Sequence, residues 1–359
     1  MKDFNYIYNK VNDYIGALQY AEQPEGLYAP IRYVLSLGGK RIRPVLMMMA
    51  YNLYKDNPED ILPNATALEV FHNFTLLHDD LMDKADMRRG NPTVHRKWND
   101  NAAILSGDTM LVLAYNLFLS NNAMPAEDMT RATKTFCDAT LGVHEGQQFD
   151  IDFETRNDVR EEEYMEMIRL KTSLLLACAL KIGAELAGAS KEDADNLYDF
   201  GEKMGLAFQL QDDLLDVYGD PAVFGKKIGG DILCNKKTFM LINALQMAEG
   251  EEREALEEWI AKTDFIPEEK ISAVTAIYDS VDIKSICQAK IECYFSEALA
   301  SLEKVSVAEE KKQGLRDFAH KLLNRNKRGT EVNMMMSMTF SLYLTKQENV
   351  KLKKMHASK

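Results

Sequence analysis

The chain lacks an excess of positive charge and lacks paired cysteines. Its 359 residues include 43 lysines and arginines against 56 aspartates and glutamates, giving a net charge of −13. This balance argues against nucleic acid as the principal partner, so any basic site must be local. The five cysteines have no CxxC spacing. They indicate neither a disulfide framework nor a zinc site, and they fit a reducing compartment.

Long apolar runs are also scarce. The first segment, MKDFNYIYNKVNDYIGALQY, mixes charged and apolar residues and lacks the uninterrupted apolar stretch of a signal peptide. We expect no later segment to span a bilayer, because that requires roughly 20 uncharged residues. The sequence therefore predicts a soluble, cytoplasmic protein without a transmembrane segment.

Prolines are few, 9 in the whole chain, and apolar residues recur at three- and four-residue spacing. This pattern predicts an all-α protein. We expect a single large helical-bundle domain around a central cavity over residues 1–327. A Met-rich extension with a basic end, residues 328–359, is expected to be flexible, and contact with a partner or membrane is the alternative. Long helices are predicted over 64–84, 101–120, 128–149, 161–188 and 193–218, with loops at 38–39, 87–92 and 219–231.

Two aspartate clusters stand out. One contains Asp79, Asp80 and Asp83, and the other contains Asp212, Asp213 and Asp216. Residues four apart share a helix face, so each cluster projects together. A single cluster would be read as a solvated face, but each of these follows an apolar run, FTLLH or GLAFQLQ. Carboxylates at the mouth of an apolar interior need cations, and oxygen ligands without a His or Cys set favour magnesium.

Basic residues recur beside both clusters. A metal cluster held by carboxylates needs a polyanion to complete its shell, and arginine and lysine bind phosphate groups. Any one basic pair is better explained as solvated surface, whereas the recurrence favours a phosphate cage. The basic segments are GGKRIRP with Lys40, Arg41 and Arg43, MRRG with Arg88 and Arg89, the pair Lys171-Thr172, and a stretch with Lys226 and Lys236.

Five motifs in order carry a family resemblance: GGKRIRP, LLHDDLMDKADMRRG, KT at 171–172, FQLQDDLLD and GKKIGGDILCNKKT. Together they resemble the trans-isoprenyl diphosphate synthases, including farnesyl and geranylgeranyl diphosphate synthases, over residues 1 to 327. The resemblance implies an isoprenoid synthase fold and a homodimer. It also implies an enzyme that condenses isopentenyl diphosphate with an allylic diphosphate, namely dimethylallyl, geranyl or farnesyl diphosphate. Magnesium, with three ions per active site, is the implied cofactor.

The same resemblance implies a role for each motif residue. Asp79, Asp83 and Asp212 would be direct magnesium ligands. Asp80, Asp213 and Asp216 would bind metal-bound water or add ligands. The allylic diphosphate would be held by Arg88, Lys171, Lys226 and Lys236. The isopentenyl diphosphate would be held by Lys40, Arg43, His72 and Arg89. Thr172 and Gln209 would face the developing cation. For His72, a hydrogen-bonded core histidine is the alternative.

Product length is predicted from the helix below the first cluster. In the family, bulk just upstream of this cluster forms the floor of the elongation cavity, which points to Phe74. Helix geometry places Thr75 more directly beneath Asp79. The prediction nevertheless rests on the family rule, which points to Phe74. A phenylalanine at this position predicts a product of three or four isoprene units.

Two other functions are considered. A class I terpene cyclase shares the fold but usually replaces the second cluster and has no isopentenyl site. A non-catalytic regulatory subunit of a prenyl synthase would be expected to lose cluster aspartates. All six aspartates and GGKRIRP are present here, so the synthase is the preferred hypothesis.

Overall fold

The structure is a computed structural model that describes residues 2–220 and 228–323. Two predictions lie outside these residues, the one for the extension over 328–359 and the one for Lys226. The extent of a single domain over residues 1–327 stays a prediction.

Eight helices precede a π-helical turn at Arg169–Ser173. A short hairpin of β1 (Met87–Arg88) and β2 (Asn91–Pro92) follows the fourth helix and is the only sheet among the described residues. The helices are α1 (Phe4–Ala17), α2 (Glu25–Ser36), α3 (Ile42–Tyr51), α4 (Leu62–Met82), α5 (Val94–Lys97), α6 (Asp100–Leu119), α7 (Ala126–Thr155) and α8 (Glu161–Ile168).

Further helices follow this π turn. The remaining helices are α9 (Leu174–Leu186), α10 (Lys191–Tyr218), α11 (Gly230–Leu233), α12 (Phe239–Met247), α13 (Gly250–Ala261), α14 (Pro267–Ser280), α15 (Ile283–Glu303) and α16 (Glu309–Leu323). The predicted all-α class is confirmed.

The predicted helices agree with α4, α6, α7 and α10, with ends that differ by a few residues. One prediction needs correction: the continuous helix expected over 161–188 is interrupted by the π turn between α8 and α9. The predicted loop over 219–231 contains the first two residues of α11, which begins at Gly230.

The core consists of two apolar clusters that share α10. Leu197 and Phe200 of α10 belong to the cluster formed with the N-terminal helices and α9. Leu206, Leu210 and Leu214 belong to the cluster formed with α8 and α12 to α15. The C-terminal half of α10 is therefore fixed on several sides, which gives the second aspartate cluster a rigid support.

Helix α6 packs along α4 and is mostly apolar. By length and composition alone it is the one described helix that could cross a membrane, with 33% of its apolar window buried inside the protein. Leu105, Val112 and Leu119 lie seven residues apart on one face and are exposed. This exposed face is available for contact with another surface.

Candidate active site

The first aspartate cluster lies at the C-terminal end of α4, and its carboxylates differ in environment. Asp80 is buried, and its Oδ1 accepts hydrogen bonds from Nε and Nη2 of Arg88, at 2.9 and 2.5 Å. Asp83 is exposed. Desolvation and the adjacent Asp79 raise the pKa of Asp83. Arg88 on β1 therefore neutralises Asp80, whereas Asp79 and Asp83 remain crowded carboxylates at the mouth of the site.

Lys171 joins this cluster to α7. Its Nζ lies 3.4 Å from Oδ1 of Asp79 and 2.5 Å from Oδ2 of Asp150. Asp150 is not among the residues predicted from the sequence. The signal that could have found it is Gly146, one helical turn earlier on α7, because a glycine inside a helix often marks close packing against another element.

The π turn is held by close backbone contacts on two sides. A Cβ at Gly146 of α7 would lie 2.5 Å from the backbone nitrogen of Lys171, and a Cβ at Gly205 of α10 would lie 2.5 Å from Cα of Ser173. Side chains at these two positions would push the turn away. π turns occur frequently at functional sites, and this one carries Lys171 and Thr172.

The second cluster is reached from the next residue of the same turn. Thr172 Oγ1 donates to Oε1 of Gln209 at 3.0 Å, and Gln209 Nε2 donates to Oδ1 of Asp213 at 3.0 Å. The buried Tyr164 hydroxyl donates to the other oxygen of Asp213. Burial, followed by the nearby charge of Asp231, raises the pKa of Asp213 to about 7. Consecutive residues of the π turn are thus linked to the two clusters, Lys171 directly to Asp79 and Thr172 to Asp213 through Gln209.

The segment 228–237 closes the second cluster. The backbone N–H of Asp231 donates to Oδ2 of Asp216 at 2.9 Å. Lys236 is exposed on the same segment. Desolvation lowers the pKa of Lys236, but the carboxylates of Asp150 and Asp231 outweigh it and the net pKa is raised. The side chain is therefore a charged lysine close to carboxylates of α7 and α10.

A separate basic patch surrounds Gly38 and Gly39. Arg43 Nη1 donates to Nε2 of His72 at 3.1 Å, and Arg89 donates to the carbonyl of Gly38. Lys40 is exposed. The Nε of Arg43 is buried without a hydrogen-bond partner among the described residues. An unpaired buried guanidinium nitrogen fits a site for an anion.

Arg41 is separated from the other cations of GGKRIRP. Its side chain is buried and donates to Oε1 of Glu69 at 2.7 Å. The sequence places Arg41 with Lys40 and Arg43 in one cationic segment. The structure corrects that grouping: Arg41 has a left-handed backbone conformation, φ 50°, and its side chain turns inward.

Phe74 is buried below the first cluster. Its ring lies 4.8 Å from that of His78 and 5.7 Å from that of His144 on α7, measured between centroids. Thr75 is half-buried and its hydroxyl donates to the carbonyl of His72. Phe74, rather than Thr75, thus contributes an apolar surface that α7 covers.

The donor set fits magnesium without a preformed cage. No three His, Cys, Asp or Glu side chains converge into a metal cage in the part of the chain that the structure describes. Magnesium does not require one, since it keeps several waters and binds one or two carboxylates together with substrate phosphates. The half-buried Asp79 and Asp212 and the exposed Asp83 are suitable partners of this kind.

The site contains two carboxylate clusters joined through one turn, and basic residues lie in two places beside them. Inside an all-α bundle, this combination defines a class of metal-dependent enzymes that act on diphosphates. The polyprenyl synthetase family model matches residues 24–279. The chain belongs to this family and is a trans-isoprenyl diphosphate synthase, an enzyme of the trans-prenyltransferase class. The family acts on isoprenoid diphosphates and generally needs a divalent metal. It does not favour the cyclase or the regulatory subunit.

Several proteins are similar to this chain. Geranylgeranyl diphosphate synthase from Methanosarcina mazei is 43% identical over 224 residues, which cover 62% of this chain and 69% of that protein. A crystal structure of a geranylgeranyl pyrophosphate synthase has a TM-score of 0.85 and 42% identity and covers 91% of this chain and 100% of that one. The geranylgeranyl pyrophosphate synthase from Corynebacterium glutamicum, complexed with isoprenyl diphosphate and magnesium, has a TM-score of 0.78 and 29% identity and covers 90% and 98%.

Proposed function

We propose that the chain condenses isopentenyl diphosphate with an allylic diphosphate to give a linear product of three or four isoprene units. One observation carries this proposal: Arg43 of α3 bonds His72 in the basic patch around Gly38 and Gly39, whereas Lys171 of the π turn bonds Asp79 in the first aspartate cluster. Two separate anion sites suit two diphosphate substrates. A terpene cyclase needs only one.

The allylic diphosphate is held between the two clusters. Lys171 and Lys236 reach this region, and Arg88 borders it from β1. Lys226, outside the described residues, is assigned to the same site on the family resemblance. When the carbon–oxygen bond breaks, negative charge grows on the diphosphate, and fixed cations stabilise that charge without reorganisation.

Asp79, Asp83 and Asp212 are the proposed magnesium ligands, with three ions per active site. Their support is their greater exposure compared with Asp80 and Asp213 and the magnesium in the Corynebacterium glutamicum complex. The bound magnesium supplies charge neutralisation for the leaving diphosphate. Asp80 and Asp213 keep their protein partners and hold Arg88 and Gln209 in place, and Asp216 holds the segment that carries Lys236.

Isopentenyl diphosphate binds at the second patch through Lys40, Arg43, His72 and Arg89. Its double bond attacks the allylic cation, and the proton then lost passes to the departing diphosphate, as is usual in the family. No protein base is assigned. The Thr172 hydroxyl and the Gln209 carboxamide, joined at 3.0 Å, place oxygen dipoles beside the cation, and the surrounding apolar side chains exclude water.

The length of the isoprenoid product is set by Phe74. The ring closes the space below Asp79 together with His78 and His144. Growth of the product beyond three or four isoprene units would require this ring to move.

The enzyme is also proposed to be a cytoplasmic homodimer. The exposed apolar face of α6, with Leu105, Val112 and Leu119, supports self-association. All five cysteines are free, and Cys178 and Cys287 are buried. Burial raises the pKa of both thiols, and free buried thiols suit a reducing compartment.

The product assay tests the proposed reaction. Purified protein is incubated with magnesium, isopentenyl diphosphate and either dimethylallyl, geranyl or farnesyl diphosphate, and the dephosphorylated products are separated by chromatography. Linear alcohols longer than the primer are expected. Hydrocarbon formed without isopentenyl diphosphate would instead identify a cyclase, and the absence of turnover with every primer would identify a non-catalytic subunit.

A further inference from the structure

Each of the two basic segments has a buried cation beside it that faces away from the open site. Arg41 immediately follows Lys40 in the isopentenyl segment. Lys270 on α14 lies beneath the segment that carries Lys236. Their exposed fractions are 3% for Arg41 and 1% for Lys270. Neither side chain can reach a substrate, yet Arg41 is the chain neighbour of Lys40, and Lys270 bonds Asn235, the chain neighbour of Lys236.

Arg41 ties the isopentenyl segment to three other elements. Besides the 2.7 Å bond to Glu69 on α4, its guanidinium donates to Oδ1 of Asn12 at 3.1 Å and to the carbonyl of Leu35 at 3.2 Å. Glu69 lies three residues before His72, so the two face the same side of α4. Two parallel bonds therefore join α3 and its N-terminus to α4, Arg41 to Glu69 and Arg43 to His72.

Lys270 ties down the other segment. Its Nζ donates to Oδ1 of Asn235 at 2.7 Å and to the carbonyl of Leu233 at 3.4 Å. The next residue, Ile271, supports the same segment, since a Cβ at Gly229 would lie 2.6 Å from its side chain. Helix α14 thus supports residues 229–235, which immediately precede Lys236.

Arg41 and Lys270 each stabilise an unfavourable backbone conformation, Arg41 its own and Lys270 that of Asn235. Arg41 has φ 50° and Asn235 has φ 51°. Non-glycine residues in the left-handed region persist only where their surroundings hold them there. A substitution of Arg41 or Lys270 would let the backbone relax, and the nearby Lys40 or Lys236 would then move.

We propose that Arg41 and Lys270 are positioning residues, each of which fixes the backbone beside the cations of one diphosphate site. Arg41 serves the isopentenyl site and Lys270 serves the allylic site. The inference rests on the proposed function for the assignment of the two sites, and it adds a separate positioning residue to each.

The test compares three variants. Lys270→Met keeps the apolar stem next to the Phe265 ring, which lies 4.3 Å from Nζ, and removes only the ammonium group. For Arg41 we use the double variant Arg41→Met/Glu69→Gln, because an unpaired buried carboxylate would itself be strongly destabilising. The control is Lys312→Met, since Lys312 is also buried and donates to Oε1 of Glu309 on α16 at 2.8 Å, away from both segments.

The KM for each substrate, kcat and the melting temperature are measured for all three. Displacement of a binding group by about 1 Å lowers catalysis up to about a hundredfold, so a KM rise of about tenfold is expected. Arg41→Met/Glu69→Gln should raise the KM for isopentenyl diphosphate and leave the allylic KM within about twofold of the parent. Lys270→Met should give the reverse pattern. Lys312→Met should lower the melting temperature and change neither KM.

Three results would overturn the positioning roles: unchanged KM values, parallel changes in both KM values, or the same changes in the Lys312→Met control. If the parent protein makes no product, the proposed function fails instead. Calorimetry then measures the affinity for each diphosphate without turnover. Each variant is expected to lose affinity for one diphosphate and not for the other, so the positioning roles remain testable. Equal loss of affinity for both diphosphates in each variant would refute them.

Discussion

Asp80 and Asp213 are the two buried aspartates of the clusters, and each has a tight protein partner. Asp80 is bonded to Arg88, and Asp213 accepts bonds from Tyr164 and Gln209. Burying a carboxylate is tolerated when such partners satisfy it. The remaining aspartates are more open. We therefore propose that Asp80, Asp213 and Asp216 hold protein groups in place, whereas Asp79, Asp83 and Asp212 bind magnesium.

Phe74→Ala is predicted to lengthen the product. Removal of the ring opens the space between His78 and His144, and chromatography of the dephosphorylated alcohols should reveal products beyond four isoprene units. Thr75→Ala is the control on the same helix, and it should leave the product unchanged. An unchanged length for Phe74→Ala, or a longer product for Thr75→Ala, would remove Phe74 from this role.

His72→Gln is predicted to reduce the sensitivity of the fold to acid. Burial, together with the charge of Arg43, lowers the pKa of His72 well below the ordinary value of 6.5. Below about pH 6.5 the unfolded chain then binds more protons than the folded one, so stability falls as the pH falls towards the folded pKa. Glutamine removes this proton and keeps a hydrogen-bonding group for Arg43.

The measurement for His72→Gln is the melting temperature of variant and parent between pH 7.5 and pH 5. The variant should gain relative to the parent as the pH is lowered. His320→Gln, at an exposed position of α16, is the control. A constant difference between His72→Gln and the parent over the whole range would contradict the prediction.

At the scale of elements, the π turn is the feature that organises the site. Of its two consecutive residues, Lys171 contacts Asp79 of the first cluster, and Thr172 is linked to Asp213 of the second through Gln209. Apolar periodicity cannot predict this turn, because one extra residue in a helical turn leaves the spacing on either side almost unchanged. Its cause is the approach of α7 and α10, which only the folded chain provides.

Some other features of the site could be predicted from the sequence, and some could not. The helices that carry the aspartates were predicted because their apolar periodicity is a local property. The identity of the cationic segments was also predictable, from composition beside the clusters. Inward rotation of Arg41 and the contribution of Asp150 and Lys270 were not, since these depend on helices distant in sequence.

Gly146→Ala is predicted to lower activity through the π turn. A methyl group would overlap the backbone nitrogen of Lys171 at 2.5 Å. Overpacking of this kind costs about 1–3 kcal/mol, which exceeds the roughly 0.5–1 kcal/mol that alanine gains over glycine inside a helix. Turnover and the free energy of unfolding should therefore both fall.

The matched control is Gly16→Ala on α1, where no atom lies within 4 Å of the added methyl group. It should keep full turnover and gain slightly in stability. If Gly146→Ala behaves like Gly16→Ala in both measurements, the close contact does not hold the π turn.

At the scale of the whole molecule, the exposed face of α6 is predicted to form the dimer. The double variant Leu105→Asp/Val112→Asp places two charges on this face and should give a monomer in light scattering coupled to gel filtration. Ile266→Asp changes an equally exposed apolar residue between α13 and α14 and should leave the dimer intact. A dimeric double variant, or a monomeric parent, would contradict the prediction.

The proposed reaction depends most on both aspartate clusters acting on one allylic diphosphate. The direct measurement is kcat, with magnesium and both substrates saturating, for Asp79→Asn, Asp212→Asn and the control Asp199→Asn, an exposed position on the same helix as Asp212. Loss of a charge-stabilising group typically lowers kcat by about 10²–10³-fold. We predict a fall of this size for both cluster variants and none for the control. Turnover close to that of the parent in either cluster variant would contradict the proposed reaction.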